Sequence, residues 1–229
     1  MTTNAESTLA ETADENLEAR AKLSGELIYL EHEHLATAAS LLFQAYQDDP
    51  LFLSIFQAHK EGYEQRLRAA IREELAVFYQ HEQPIFGLFE GDTLEGVVCM
   101  TRPGAAFGPE RFWHWRLRML LTAGYVSTKQ MLEKERIIAE AMPVNHYHML
   151  TFIAVHPNYQ QHGLGDLLVH AARAELVEAP ESAGIGLLAT RPNYAKFFAQ
   201  RGFHHLRDIQ VGEITGQLMF FAREDEELD

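Results

Sequence analysis

The stretch Val155-His156-Pro157-Asn158-Tyr159-Gln160-Gln161-His162-Gly163-Leu164-Gly165 follows the apolar run Tyr147–Val155 and opens the amphipathic run Leu164–Ala179. A strand, a Gly-containing turn and a helix in immediate succession direct several backbone N–H groups at one point. The first N–H groups of a helix lack intrahelical acceptors and its dipole is positive at that end, so this point favours a phosphate. The turn predicts a phosphorylated ligand.

Working outward, Leu164, Leu167, Leu168, Ala171 and Ala172 fall on one helical face, and Pro180 stops the helix. A short strand is expected over Gly184–Ala189 and a short helix over Tyr194–Gln200. The pair Ile209–Glu213 and Gln217–Ala222 reads as a hairpin around Thr215-Gly216. Upstream, a strand is expected over Gly25–Leu30 and helices over His34–Gln47 and Gly62–Gln80. In Asp48-Asp49-Pro50, Asp49 reads as a helix cap with Pro50 at the first helical position. A functional reading instead places the two acids at the entrance for an amine. Pro84–Phe89 and Leu94–Met100 read as strands joined through Gly91-Asp92. The segment Phe107–Pro143 reads as two helical pieces, Arg111–Tyr125 and one starting near Ser127 with Thr128 as its cap. Trp113 and Trp115, two residues apart, do not share a helix face.

Composition narrows the function. The net charge of −14 argues against a nucleic-acid partner, because a polyanion binder needs a basic surface. From His156 to Arg207 five basic residues face four acids, a net of +1 that leaves −15 for the remainder. Part of that excess lies in Met1–Lys22 and in Glu224–Asp229, and the rest suits either a cationic second substrate or solubility alone. No apolar run is long enough to span a bilayer, and Met1–Arg20 lacks the basic start and apolar centre of a signal peptide, so a cytoplasmic protein without a membrane partner is expected. Cys99, the sole cysteine, sits in the apolar run Val97–Met100 and reads as a buried, inert thiol. His32, His34, His204 and His205 have no metal-site spacing, and no metal is expected. The reading divides the chain into a disordered acidic segment (1–24), one domain (25–223) and an acidic tail (224–229).

Val155-His156-Pro157, then Gln160-x-x-Gly163-x-Gly165, a helix, and later Phe197-Phe198-x-x-x-Gly202-Phe203 resemble the GNAT superfamily of acyl-CoA-dependent N-acyltransferases. The resemblance is dense over Tyr147–Phe203 and consistent in strand order back to Gly25. It implies an α/β fold with a mixed, mostly antiparallel central sheet, splayed fourth and fifth strands and flanking helices. The splayed strands would be Tyr147–Val155 and Gly184–Ala189. It implies acetyl-CoA as co-substrate, with pantetheine beside Ile153 and Val155 and the pyrophosphate cradled by Gln161, His162, Gly163, Leu164, Gly165 and Asp166. Gln160, Gly163 and Gly165 fill the family's pattern, and glycines let phosphate oxygens approach the main chain.

Several positions depart from that pattern. His162 stands where relatives often carry Arg, exchanging a permanent charge for a titratable one. Phe198 replaces a Tyr whose hydroxyl protonates the leaving thiolate. Tyr194, one turn earlier on the same face, is the candidate substitute general acid, against a reading as a half-buried packing residue. Asn193 is displaced by two from the family's cofactor-binding asparagine, whose place falls at Arg191. No Asp or Glu occurs from Ala141 to Gly165 to serve as a base. His146 and His148 share one side of the strand and could relay protons through water, against the commoner reading as surface or capping histidines.

The expected function is N-acyl transfer from acetyl-CoA to a small primary amine, which the acidic surroundings allow to be cationic, by direct attack in a ternary complex. The acceptor pocket is expected from the helices Leu35–Gln47 and Gly62–Gln80 and the segment Phe107–Pro143. A homodimer is left open. Two alternatives stand beside it. One is an acyl-CoA sensor or assembly module without turnover. The other is a dinucleotide-binding oxidoreductase, disfavoured because Leu168 replaces the third glycine.

Overall fold

A computed structural model describes residues 25–104 and 109–223, with backbone only for 109–114. The expected segments 1–24 and 224–229, the start of the helical region at Phe107 and the Trp113 side chain lie outside the described residues. In chain order the elements are β1 (Glu26–Tyr29), a 3-10 turn (His32–His34), α1 (Leu35–Tyr46), α2 (Pro50–Ile55), α3 (Tyr63–Gln80), β2 (Ile85–Glu90) and β3 (Thr93–Thr101). There follow α4 (Pro109–Thr122), α5 (Gly124–Ala141), β4 (His148–Val155), a 3-10 turn (Pro157–Tyr159), α6 (Leu164–Glu178), β5 (Gly184–Ala189), α7 (Pro192–Ala199), β6 (His204–Val211) and β7 (Ile214–Ala222).

The sheet runs β1-β2-β3-β4-β5-β7-β6 and is antiparallel except for the β4–β5 pair. That is the fold the resemblance implies. Apolar side chains on β3 sort by pleat: Val97 and Cys99 join the core under α1 to α5, whereas Val98 and Met100 join the core under α6 and α7. Helices therefore cover both faces, and the strand is buried from Leu94 to Thr101 with no polar face to expose.

On β4 the pleat changes phase. Cys99 pairs with Phe152 but Met100 pairs with Leu150, so Thr151 is an extra residue, a β-bulge. Its effect is visible in the packing. Leu150 faces the α6–α7 core with Ile153 and Val155, while Phe152 and Ala154 face the opposite core. Beyond the bulge the fourth and fifth strands part: β4 pairs with β5 only through His148–Ile185 and Met149–Gly186. From Thr151 onward the β5-facing edge of β4 borders an open wedge.

Local boundaries moved for identifiable reasons. Thr128 does not cap a helix. The helix break lies at Ala123-Gly124, where Gly124 adopts φ +84°, and the Thr128 hydroxyl donates back to the Gly124 carbonyl one turn earlier, at 2.8 Å. The last hairpin turns at Gly212-Glu213, with Gly212 at φ +60°, and Thr215 and Gly216 lie inside β7. Gly216 packs closely there, since a Cβ would sit 2.7 Å from a Leu188 methyl group that would have to shift. Trp115 is buried in the core beneath α1 to α5.

Candidate active site

The wedge widens into a cleft of about 630 Å³ lined by β4 from Met149 to Val155, the turn after it, the end of β5, and parts of α1, α2, α5 and α7. Its floor is the β5-facing edge of β4. At one end lies the Gly turn. Gln161 adopts φ +67° and Gly163 φ +80°, and two left-handed residues so close together fold the backbone onto the N-terminus of α6. The Gln160 amide donates to the Val155 carbonyl at 3.0 Å, tying the turn to the strand end. The His156 ring accepts from the Asn158 N–H at 3.3 Å, a cap for the 3-10 turn.

Of the residues singled out in the sequence, the cleft gathers Ile153, Val155, Gln160, Gln161, Gly163, Leu164, Gly165, Asp166, Asn193 and Tyr194. His162 is not among its lining residues: it is exposed, with its ring against the Tyr159 carbonyl at 3.2 Å. The permanent cation at this end is Arg201, which the sequence offers only as one of the five basic residues between His156 and Arg207. It lines the cleft, binds the Asp166 carboxylate at 2.6 Å, and stacks 3.6 Å over the Phe197 ring. That pair offsets the one acid in the first turn of α6. Gly165 has a packing reason beyond phosphate approach, because a Cβ there would lie 3.0 Å from the Phe197 ring.

Phe198 is buried, in edge contact with Phe197 and Phe203 at centroid distances of 5.1 and 5.3 Å. Tyr194, one turn earlier on α7, is partly exposed and borders the cleft. Tyr46, at the end of α1, is a site residue the sequence did not reveal. Its hydroxyl accepts from the Ile153 N–H and donates to the Ile153 carbonyl, both at 3.1 Å. The ring packs against Phe52 and Phe152. Burial raises its phenol far above the usual value, with Asp49, Tyr194 and Cys99 adding to the rise against the opposing Ile153 hydrogen bond.

The other end of the cleft carries the charges. Asp49 is 3% exposed; one carboxylate oxygen caps α2 by accepting from Leu51 and Phe52 N–H at 3.0 and 3.3 Å, and the other accepts from the Thr190 hydroxyl. The cap expected of Asp49 is present, and the same residue borders the cleft. From α5, Lys134 and Glu135 form an ion pair at 2.7 Å beside it. Burial pulls the Lys134 ammonium toward neutrality, but the Glu135 charge and hydrogen bond outweigh it and hold the group protonated. Of the segments expected to wall an acceptor pocket, α1 and α5 line this cleft, joined by α2, whereas helix α3 packs against α1 and supplies none of the described lining residues.

His146 and His148 do not form a relay in the cleft. His148 is fully buried in β4, with Nδ1 2.9 Å from the Ser182 hydroxyl, and burial lowers its pKa to about 4. It is a neutral core histidine. Cys99 is buried as well, and burial pushes its thiol well above the usual range, which keeps it from acting as a nucleophile. Among the described residues no cluster could hold a metal ion, and no helix is long and apolar enough to cross a membrane.

Residues 124–205 match the family model described as an acetyltransferase (GNAT) domain. Among solved structures, the chain is similar to a histone acetyltransferase HPA2 and related acetyltransferase from Corynebacterium glutamicum, at TM-score 0.66 and 19% identity over 87% of this chain and 96% of that one. It is also similar to the PaiA N-acetyltransferase from Thermoplasma acidophilum in complex with coenzyme A, at TM-score 0.55 and 16% identity, covering 87% and 99% of the two chains. An N-acetyltransferase from Staphylococcus aureus Mu50 aligns at TM-score 0.55 and 15% identity, covering 85% and 99%. No curated protein sequence matches the chain. Residues 124–205 are thus similar to a GNAT acetyltransferase domain, and the chain shares the fold of these acetyltransferases.

Proposed function

We propose that this protein transfers an acetyl group from acetyl-CoA to a small primary amine by direct attack in a ternary complex. The observation that carries the reading is the wedge: β4 and β5 part immediately after Met149–Gly186, and the gap runs to the left-handed turn at the head of α6. An elongated ligand with a phosphate at one end and an amide-rich arm fits such a groove. N–H groups of Gln161 to Gly165 suit the pyrophosphate, whereas that of Asp166 already donates to the Gly163 carbonyl at 2.9 Å, and the β4 edge beside Val155 and Ile153 suits pantetheine. The coenzyme A complex of the Thermoplasma neighbour, which has the same fold, supports this choice of ligand.

In this reading the Ile153 N–H stabilises the oxyanion formed when the neutral amine attacks the thioester carbon. The C–S bond then breaks. Tyr194 protonates the departing thiolate, a role closed to Phe198. Glu135 takes the proton lost by the amine, through water, which answers the absence of a carboxylate on β4. Asp49 and Glu135 give the acceptor end an acidic character suited to a cationic amine, and Lys134 tempers it.

The test is thiol release from acetyl-CoA in the presence of a broad panel of amines. Transfer to at least one cationic amine, lost in Gly163→Val because a β-branched residue is strained at φ +80°, is the expected result. Coenzyme A binding with no turnover for any amine would instead support the sensor reading, which the buried Phe198 favours. Stabilisation by NAD and not by coenzyme A would favour the oxidoreductase reading.

A further inference from the structure

Ile153 presents its N–H and C=O toward the wedge, where no strand of the sheet reaches it. A single side chain closes both groups. The Tyr46 hydroxyl stands 3.1 Å from the Ile153 nitrogen and 3.1 Å from its carbonyl oxygen, on a ring that packs against Phe52 and Phe152 at centroid distances of 5.4 Å. Its oxygen thus occupies the place where an acceptor of the Ile153 N–H must sit.

Resting on the acyl-transfer reading above, we propose that Tyr46 is a catalytic residue: its hydroxyl reserves the thioester oxygen's position in the free protein and becomes the second hydrogen-bond donor to that oxygen during transfer. The geometry gives the reason. A thioester oxygen that takes the Ile153 N–H displaces the phenol oxygen as acceptor but leaves its O–H beside the new oxygen. Two converging donors, one backbone and one phenolic, then face the oxygen on which charge develops. No proton is transferred to or from Tyr46. Burial raises the phenol so far that it stays protonated and serves only as a donor.

The role differs from that of Tyr194, which meets the sulfur. It also carries a cost in the ground state, because the acyl-CoA must break the Tyr46–Ile153 contacts to bind. Removing the hydroxyl should therefore leave acetyl-CoA binding unchanged or tighten it, while slowing transfer.

The experiment is Tyr46→Phe, with kcat and the KM for acetyl-CoA measured alongside a thermal melt. The phenyl ring keeps its packing, so the fold should persist. The expected result is kcat lower by about 10- to 100-fold with KM unchanged or reduced. An unchanged kcat would overturn the role, as would a loss of activity explained wholly by weaker binding or a collapsed melt. A readout independent of the variant is the Ile153 amide resonance in the wild-type protein. It should shift with acetyl-CoA and much less with coenzyme A, which lacks the carbonyl, and equal shifts would count against the proposal. Failure of the wild type to bind coenzyme A at all would sink the functional reading itself, whereas binding and turnover with an indifferent Tyr46→Phe would sink only this inference.

Discussion

At the residue scale, burial rather than motif decides what the polar groups do. Asp49 is capable of electrostatic work at the cleft, yet both its oxygens are already engaged. Asp49→Ala should cost about 1–2 kcal/mol in chemical denaturation, whereas Asp49→Asn, also a good cap, should cost less than about 0.5 kcal/mol. Equal losses in the two variants would deny the cap. His148 offers a pH test. Its pKa is about 4 in the folded protein against 6.5 when unfolded, so below pH 6.5 the unfolded chain takes up a proton that the folded one refuses. Stability therefore falls as pH drops from 6.5 toward 4, by about 3 kcal/mol from this group at the full shift. His148→Asn, which cannot titrate, should lose less stability than wild type across that interval, and parallel curves would contradict the assignment.

At the element scale, the packing of α6 on α7 shows why one glycine carries two duties. Gly165→Ala gains about 1 kcal/mol in helix propensity but drives a methyl into the Phe197 ring, which Arg201 covers from one side. Overpacking of that kind costs about 1–3 kcal/mol, so a net loss of about 1 kcal/mol is expected. In a Phe197→Leu background the same substitution should cost less, and strict additivity would refute the contact. The sequence revealed the Gly turn, the order of strands and the end of the cleft where that turn lies, because glycines, Pro157 and the strand–turn–helix order leave local marks. It hid the Thr151 bulge. Met149–Val155 is apolar apart from Thr151 itself and packs on both faces, so no alternation exists in which a phase change could show. Tyr46, Lys134 and Glu135 were hidden for another reason: they come from helices whose periodicity reports only the buried face, and only the tertiary fold brings them to β4. Arg201 lies inside the Phe197–Gly202 segment, but its pairing with Asp166 spans 35 residues and leaves no local mark.

At the scale of the molecule, the two faces of the sheet divide the labour. Helices α6 and α7 supply the turn, Arg201, Asn193 and Tyr194, and helices α1, α2 and α5 supply Tyr46, Asp49, Lys134 and Glu135. The two sets meet at the splay of β4 from β5, where the cleft forms. The central claim is that this wedge holds coenzyme A by backbone groups, and calorimetric titration of the wild-type protein with coenzyme A tests it most directly. The account predicts one saturable site per chain, weakened at least tenfold by Gly163→Val while the thermal melt of the free protein shifts by only a few degrees. No binding heat at millimolar coenzyme A, or equal affinity in wild type and Gly163→Val, would contradict it.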